Sequence, residues 1–274
     1  MIYKDIKWLN KQGALIPSLP PHKTVDLTIG EQKELLNTSK AFLIRWHSLY
    51  DIEEGNFWYI VKDNFNGMEE LSSNTRSKIR RGQKRLYTKK ISLDLIDEIY
   101  SVYYETSKKY ATFENIMTKD EFKRYINNLD SEKYEFFGVF DKGSDLLVAY
   151  AQNFIDDNSC FYEELFFHPK YLKNYCSYVL IYDMNKYYLE DNNFAYVHDG
   201  SRNLSHITNI HNFLIEKFKF KKVYSKMEIA YRKDVEIAVK ILYPLKPIID
   251  KIELNTFKKI SVLLKHEEIR RSYE

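Results

Sequence analysis

The apolar positions change period several times between Tyr134 and Tyr231, and the rest of the chain is arranged around that stretch. Apolar runs at Glu135–Phe140, Leu146–Ile155 and Ser159–Phe167 predict three strands. Asp141–Asp145 and Asp156–Asn158 separate them with turn-forming residues, so an antiparallel meander is expected. A helix is expected to open near Tyr171, with Leu172, Cys176, Val179, Leu180 and Met184 on its buried stripe. Phe194–Val197 predicts another strand, and 198–202 a loop. Ile207–Lys219 then predicts a helix and Lys222–Tyr231 a last strand.

Upstream, Ala41–Leu49 and Asn56–Lys62 are aromatic and β-branched, and the stretch between them predicts a hairpin turn. Glu69–Tyr87 predicts a helix, because Thr75, Ile79, Gly82 and Leu86 recur at spacings of three and four. Gly82 on that face would let a neighbouring backbone come close. Ser92–Tyr110 and Lys119–Leu129 predict two more helices, the second with Phe122, Tyr125, Ile126 and Leu129 inward. Residues 1–39, interrupted by Pro17, Pro20 and Pro21, are expected to form an N-terminal arm. Residues 40–232 are expected to form one domain, and 233–274 a helical tail broken at Pro244 and Pro247. The order implies an α/β or α+β fold with too few alternating units for a barrel.

Composition changes this picture little. Hydrophobic and charged contents of 44% and 30% suit a globular chain with a real core. A net charge of +3 does not announce wholesale nucleic-acid binding, so local basic clusters matter more. Two cysteines, Cys160 and Cys176, build neither a disulfide framework nor a metal site, and a reducing cytoplasm is the expected location. No apolar run is long enough to span a bilayer, and no secretory signal is expected at the start. Walker, dinucleotide-binding and nucleophile-elbow motifs are missing from the sequence, and no metal is expected.

The order of elements over roughly Ala41–Arg232 resembles the GNAT-type acyl-CoA N-acyltransferase superfamily. The basic segment Leu71–Arg85, the helix Leu95–Tyr110 and the stretch Asn212–Phe220 are more closely similar to one domain of the Fem-type (FemAB-like) peptidoglycan aminoacyltransferases. The resemblance implies a mixed, mostly antiparallel central sheet flanked by helices. It implies acyl-CoA or CoA as co-substrate, bound at the helix after Ser159–Phe167, and an amine acceptor. The GNAT phosphate loop falls here on Lys173, Cys176 and Tyr178, without its glycines. The position of the usual tyrosine acid falls on Ile215.

Candidate chemistry follows from the same stretch. Acyl transfer to an amine needs a base, oxyanion donors and an acid. Glu163 and Glu164 are candidate bases, expected on opposite sides of their strand because strand neighbours alternate. The bland alternative is a pair of ordinary strand carboxylates. His168 could shuttle protons or merely shape the turn before its proline. Amides near Phe166 and Phe167 are candidate oxyanion donors. Lys170, Lys173, Asn174, Ser177 and Asn209 are candidate coenzyme contacts at or near a helix N-terminus, where unpaired N–H groups attract anions. Asp199 could orient an amine and Arg202 could meet a carboxylate or phosphate, or both could belong to a plain connection capped by Ser205. The cationic face Arg76–Arg85 could grip a coenzyme phosphate, a transfer RNA or an anionic lipid surface, or simply be solvated. The expected function is acyl transfer from acyl-CoA or a similar thioester to an amine; the alternatives are aminoacyl transfer from transfer RNA and a binding module that has lost catalysis.

Overall fold

Strands and helices alternate along the chain as β1 (Ile2–Tyr3), β2 (Ile6–Lys11), β3 (Ala14–Pro17), α1 (Ile29–Ser39), β4 (Leu43–Ile52), β5 (Trp58–Lys62), α2 (Ser73–Gln83), β6 (Leu86–Ile91), α3 (Ile96–Lys109) and α4 (Lys119–Asn127). They continue as β7 (Tyr134–Asp141), β8 (Leu147–Asp156), β9 (Ser159–Phe167), α5 (Cys176–Asn185), β10 (Tyr196–Ser201), α6 (Asn209–Phe218), β11 (Lys221–Tyr231), α7 (Lys233–Leu242), α8 (Lys246–Ile249) and α9 (Asn255–Arg271). This computed structural model describes residues 1–109, 116–204 and 209–274. Tyr110, Ser205 and Ile207, invoked above for helix ends and a cap, lie outside the described residues. The fold is mixed α/β, with a largely antiparallel sheet flanked by helices and a helical C-terminal segment.

The chain divides into two compact units. One contains Met1–Ile60, Ser201–Asn209 and Lys222–Glu274. Its strands run in the order β1, β2, β3, β4, β11, β5. Residues 1–39 are built into it. Trp8, Leu15, Leu35 and Leu36 are buried with Ile44 and Trp46, and β3 pairs with β4. Thr28 starts α1 with a capping box closed by Glu31. The expected hairpin does not form. β4 pairs antiparallel with β11, and Ser225 N–H donates to the Phe57 carbonyl at 3.0 Å. The last strand therefore separates the two that were to pair. A strand pattern shows which face is apolar but not which strand lies alongside.

The same unit buries a polar contact. His266 Nδ1 lies 2.7 Å from the Val262 carbonyl, and its Nε2 lies 3.2 Å from Arg45 Nη1. A guanidinium can only donate, so Nε2 accepts and the ring proton sits on Nδ1.

The other unit contains Val61–Gly200 and Ile210–Lys221. Its strands run β10, β9, β8, β7, β6, and β7–β9 form the expected antiparallel meander. The apolar stripes of α3 and α4 (Ile99, Val102, Tyr103, Phe122, Ile126) cover one core against Phe136, Tyr150 and Phe166. Three expectations shift. α2 ends at Gln83, and Leu86–Ile91 is a strand, which its exposed lysines had hidden. Pro169–Asn174 forms only a 3₁₀ turn; Tyr175 then adopts φ 65°, and α5 begins at Cys176 rather than Tyr171. His198–Ser201 continue strand β10 rather than forming a loop.

Candidate active site

β9 and β10 are parallel neighbours that stay together only briefly. They pair through Tyr196 with Ser159, Val197 with Cys160, and His198 with Phe161. Among the described residues no pairing with β10 continues beyond Phe161, so Tyr162–Phe167 leave the side facing β10 without a strand partner there. Gly200 makes the fork tight. It has φ +76°, and a Cβ there would lie 3.1 Å from the Phe161 ring. That ring stacks on His198. Amide direction on β9 follows from one bond: His168 N–H donates to the Val148 carbonyl on β8. By alternation Phe166 N–H also points to β8, whereas the amides of Leu165 and Phe167 point to the open edge. Of the two candidate oxyanion donors, Phe167 therefore directs its amide to that edge and Phe166 to β8. The Phe166 ring is buried against Tyr150 and Tyr103.

Glu163 and Glu164 do not alternate as expected. Gln152 pairs with Glu164 and Asn153 with Tyr162, which leaves Glu163 as the extra residue of a β-bulge. The bulge brings both carboxylates to the Tyr125 phenol, whose pKa rises to about 12, first through burial and then through their charge. Gln152 Nε2 donates to Glu163 Oε2 at 2.9 Å and to the Tyr125 oxygen at 2.8 Å. Tyr134 bonds to Glu163 as well, and burial holds its phenol protonated. Glu163 is therefore a fixed, half-buried carboxylate, while Glu164 is exposed. Tyr125, expected in the core, is 36% exposed, and its hydroxyl is free to donate because Gln152 uses its lone pair. The sequence reading overlooked Gln152, although Gln152–Asn153 break an otherwise apolar strand.

Asp199 lies on β10 beneath α6. Its Oδ2 is 3.2 Å from His211 Nε2, and burial pushes its carboxyl pKa up. Arg202 is tied within the other unit, donating to the Asn56 carbonyl at 2.6 Å and lying 4.5 Å over the Trp58 ring. His168 starts the 3₁₀ turn, its Nδ1 accepting from Lys170 N–H. Asn209 is the exposed first residue of α6.

The mouth of α5 is furnished differently from a glycine-rich phosphate loop. Among the described residues the N–H groups of Cys176 and Ser177 meet no backbone carbonyl, and Tyr175 gives no side-chain cap. They lie at the Cys176 sulfur, whose thiol burial raises to about 12. The Tyr175 and Tyr178 rings stand edge to face beside them. Cations of α2 cover both rings: Arg81 lies 5.2 Å over Tyr175, and Lys78 lies 5.1 Å over Tyr178 and 3.2 Å from its hydroxyl. Gly82 permits this approach, since a Cβ there would meet Val179 Cγ2 at 2.5 Å and the Asn174 carbonyl at 3.4 Å. Arg80, Arg81, Lys84 and Arg85 are exposed. Lys170 and Lys173 are exposed too, with Asn174 and Ser177 half-buried between them. Among the described residues no group of three or more His, Cys, Asp or Glu is placed to hold a metal, and no helix is long and apolar enough to cross a membrane.

No family profile matches the chain, and no curated protein matches its sequence. Solved structures do match its fold. FemX aligns over 88% of this chain and 85% of its own, with a TM-score of 0.58 and 10% identity. A conserved protein of unknown function from Bacteroides thetaiotaomicron aligns over 80% and 79%, with a TM-score of 0.53 and 12% identity. The C-terminal domain of a putative lysylphosphatidylglycerol synthetase from Agrobacterium fabrum aligns over 86% and 83%, with a TM-score of 0.51 and 10% identity. At these identities the likenesses show a shared fold: the chain is built like FemX and these two proteins.

Proposed function

We propose that this chain transfers an aminoacyl group from an RNA-linked ester to an amine, in the manner of the Fem-type enzymes it resembles. The chemistry is assigned to the stretch 40–232. One observation carries the choice of donor: the cationic face of α2 stands over the mouth of α5, and tyrosine rings occupy the place where a glycine-lined loop would admit a diphosphate. An exposed row of arginine and lysine suits a phosphodiester backbone laid across it. Similarity in fold to FemX over most of the chain is consistent with this reading.

In this reading the acceptor nitrogen attacks the ester carbonyl carbon beside the fork. Its proton passes to Glu164 or Glu163, with Gln152 and Tyr134 fixing the latter carboxylate. The tetrahedral oxygen takes hydrogen bonds from the Leu165 and Phe167 amides. The carbon–oxygen ester bond then breaks, Tyr125 gives its proton to the departing ribose oxygen, and the proton held by the glutamic acid restores the phenol.

The test pairs two donors on the purified chain: charged transfer RNA and acyl-CoAs of several lengths, each with an amine acceptor. Transfer from charged RNA is expected, with RNA affinity falling steeply with salt. Turnover of acyl-CoA alone would overturn the choice of donor. Undiminished transfer by Glu163→Gln/Glu164→Gln would overturn the assigned base.

A further inference from the structure

The unit made of Met1–Ile60, Ser201–Asn209 and Lys222–Glu274 contains a cavity of about 350 Å³ that no residue of the candidate active site lines. That volume is within the range of small-molecule sites. α1, the end of β11, α7 and α9 enclose it. Leu36, Ala230 and Val239 make its wall partly apolar, and charged side chains complete the lining.

The charges decide what it would accept. Both carboxylates are already satisfied. Glu236 takes the Lys240 ammonium at 2.6 Å. Glu267, 3% exposed, receives Arg270 Nε and Nη2 at 2.9 Å each, Arg271 Nε at 2.7 Å and the Tyr231 hydroxyl at 3.1 Å. The cations are not used up. Arg271 donates Nε to Glu267 and lies 4.1 Å over the Tyr243 ring, and among the described residues its two terminal nitrogens make no hydrogen bond. Lys33, exposed on α1 at the rim, forms no ion pair among the described residues. Lys33, Lys240, Arg270 and Arg271 against Glu236 and Glu267 leave the lining two charges positive. A positive cleft with low-dielectric walls concentrates anions, and a guanidinium locked in plane recognises carboxylate or phosphate geometry.

We propose that this cavity is a second binding site, taking a small organic anion whose carboxylate or phosphate meets Arg271 and Lys33 and whose apolar body lies on Leu36, Ala230 and Val239. The site stands independently of the transfer reading.

Titration calorimetry on the full chain with octanoate and with phenyl phosphate tests it, with benzyltrimethylammonium as the probe of opposite charge. Saturable binding of at least one anion below about 1 mM is expected. Lys33→Glu and Arg271→Gln should each weaken it about tenfold or more, the scale of a lost charge-assisted hydrogen bond. Lys33→Glu changes an exposed side chain, so it reports on the site even where Arg271→Gln fails to fold. Anion binding unchanged in Lys33→Glu, no saturation by either anion, or equal affinity for the ammonium probe overturns the proposal.

Discussion

Lowering the pH from 8 to 5 is expected to cost the protein about 2 kcal/mol through one side chain, His266. The ring is 7% exposed, and burial, aided by the neighbouring Arg45 charge, takes its pKa from 6.5 to about 4. In the fold its Nε2 lone pair accepts from a guanidinium. A proton placed there would face a cation at 3.2 Å in a buried setting, where charges are poorly screened. The folded value lies below the unfolded one, so the unfolded chain binds the proton first. The stability involved is complete above pH 6.5 and lost as pH falls toward 4. Linkage with those two values gives about 2 kcal/mol at pH 5 and a limit of about 3 kcal/mol below pH 4. His47 is shifted down as well, by burial, and contributes in the same direction. A difference experiment isolates His266: urea midpoints of the wild type and of His266→Gln from pH 8 to pH 4.5 at constant ionic strength. The wild type should lose about 2 kcal/mol more than the variant between pH 8 and pH 5. A gap between the two proteins that stays constant with pH would refute the reasoning.

Three further outcomes are expected. Tyr175 holds φ 65° without being glycine, a conformation costing about 1–2 kcal/mol, so Tyr175→Gly should be more stable than Tyr175→Ala by about 1 kcal/mol in denaturant titrations; equal stability would mean the turn can relax. Gly82→Ala should destabilise by about 1–3 kcal/mol through the contact with Val179 Cγ2, and Val179→Ala in the same chain should recover part of the loss; an unchanged urea midpoint would show that α2 and α5 can move apart. Tyr125→Phe should slow transfer by about 10²-fold or more at unchanged donor affinity, and wild-type rates should show no alkaline limb below pH 10, because the phenol stays protonated to about 12; a fall centred near pH 9 would assign the acid elsewhere.

The meander and the helices around it were legible because their periods are clear and aspartate-rich turns divide them. Gly82 was legible for the same reason: a glycine on an otherwise buried helical face leaves room for a neighbour, and α5 takes it. Strand partners were not legible. Nothing in Ala41–Lys62 encodes that β11, some 160 residues later, enters between β4 and β5. Nor does alternation along Phe161–Phe167 disclose the extra residue that redirects Glu163, since a bulge is a property of two paired strands. The clustering of basic residues over Leu71–Arg85 is legible in the sequence, but the position of Lys78 and Arg81 over Tyr178 and Tyr175 depends on tertiary packing.

The open half of β9 has a consequence for solubility. Free amides and carbonyls along a strand form a template on which a strand from another copy can add. Here the register is broken at Glu163, and two negative side chains stand at that point. A foreign strand laid along 162–167 would find mismatched partners and would have to desolvate both charges. Removing both charges is therefore expected to favour strand addition: a variant carrying Glu163→Val and Glu164→Val should scatter light on standing where the wild type remains clear.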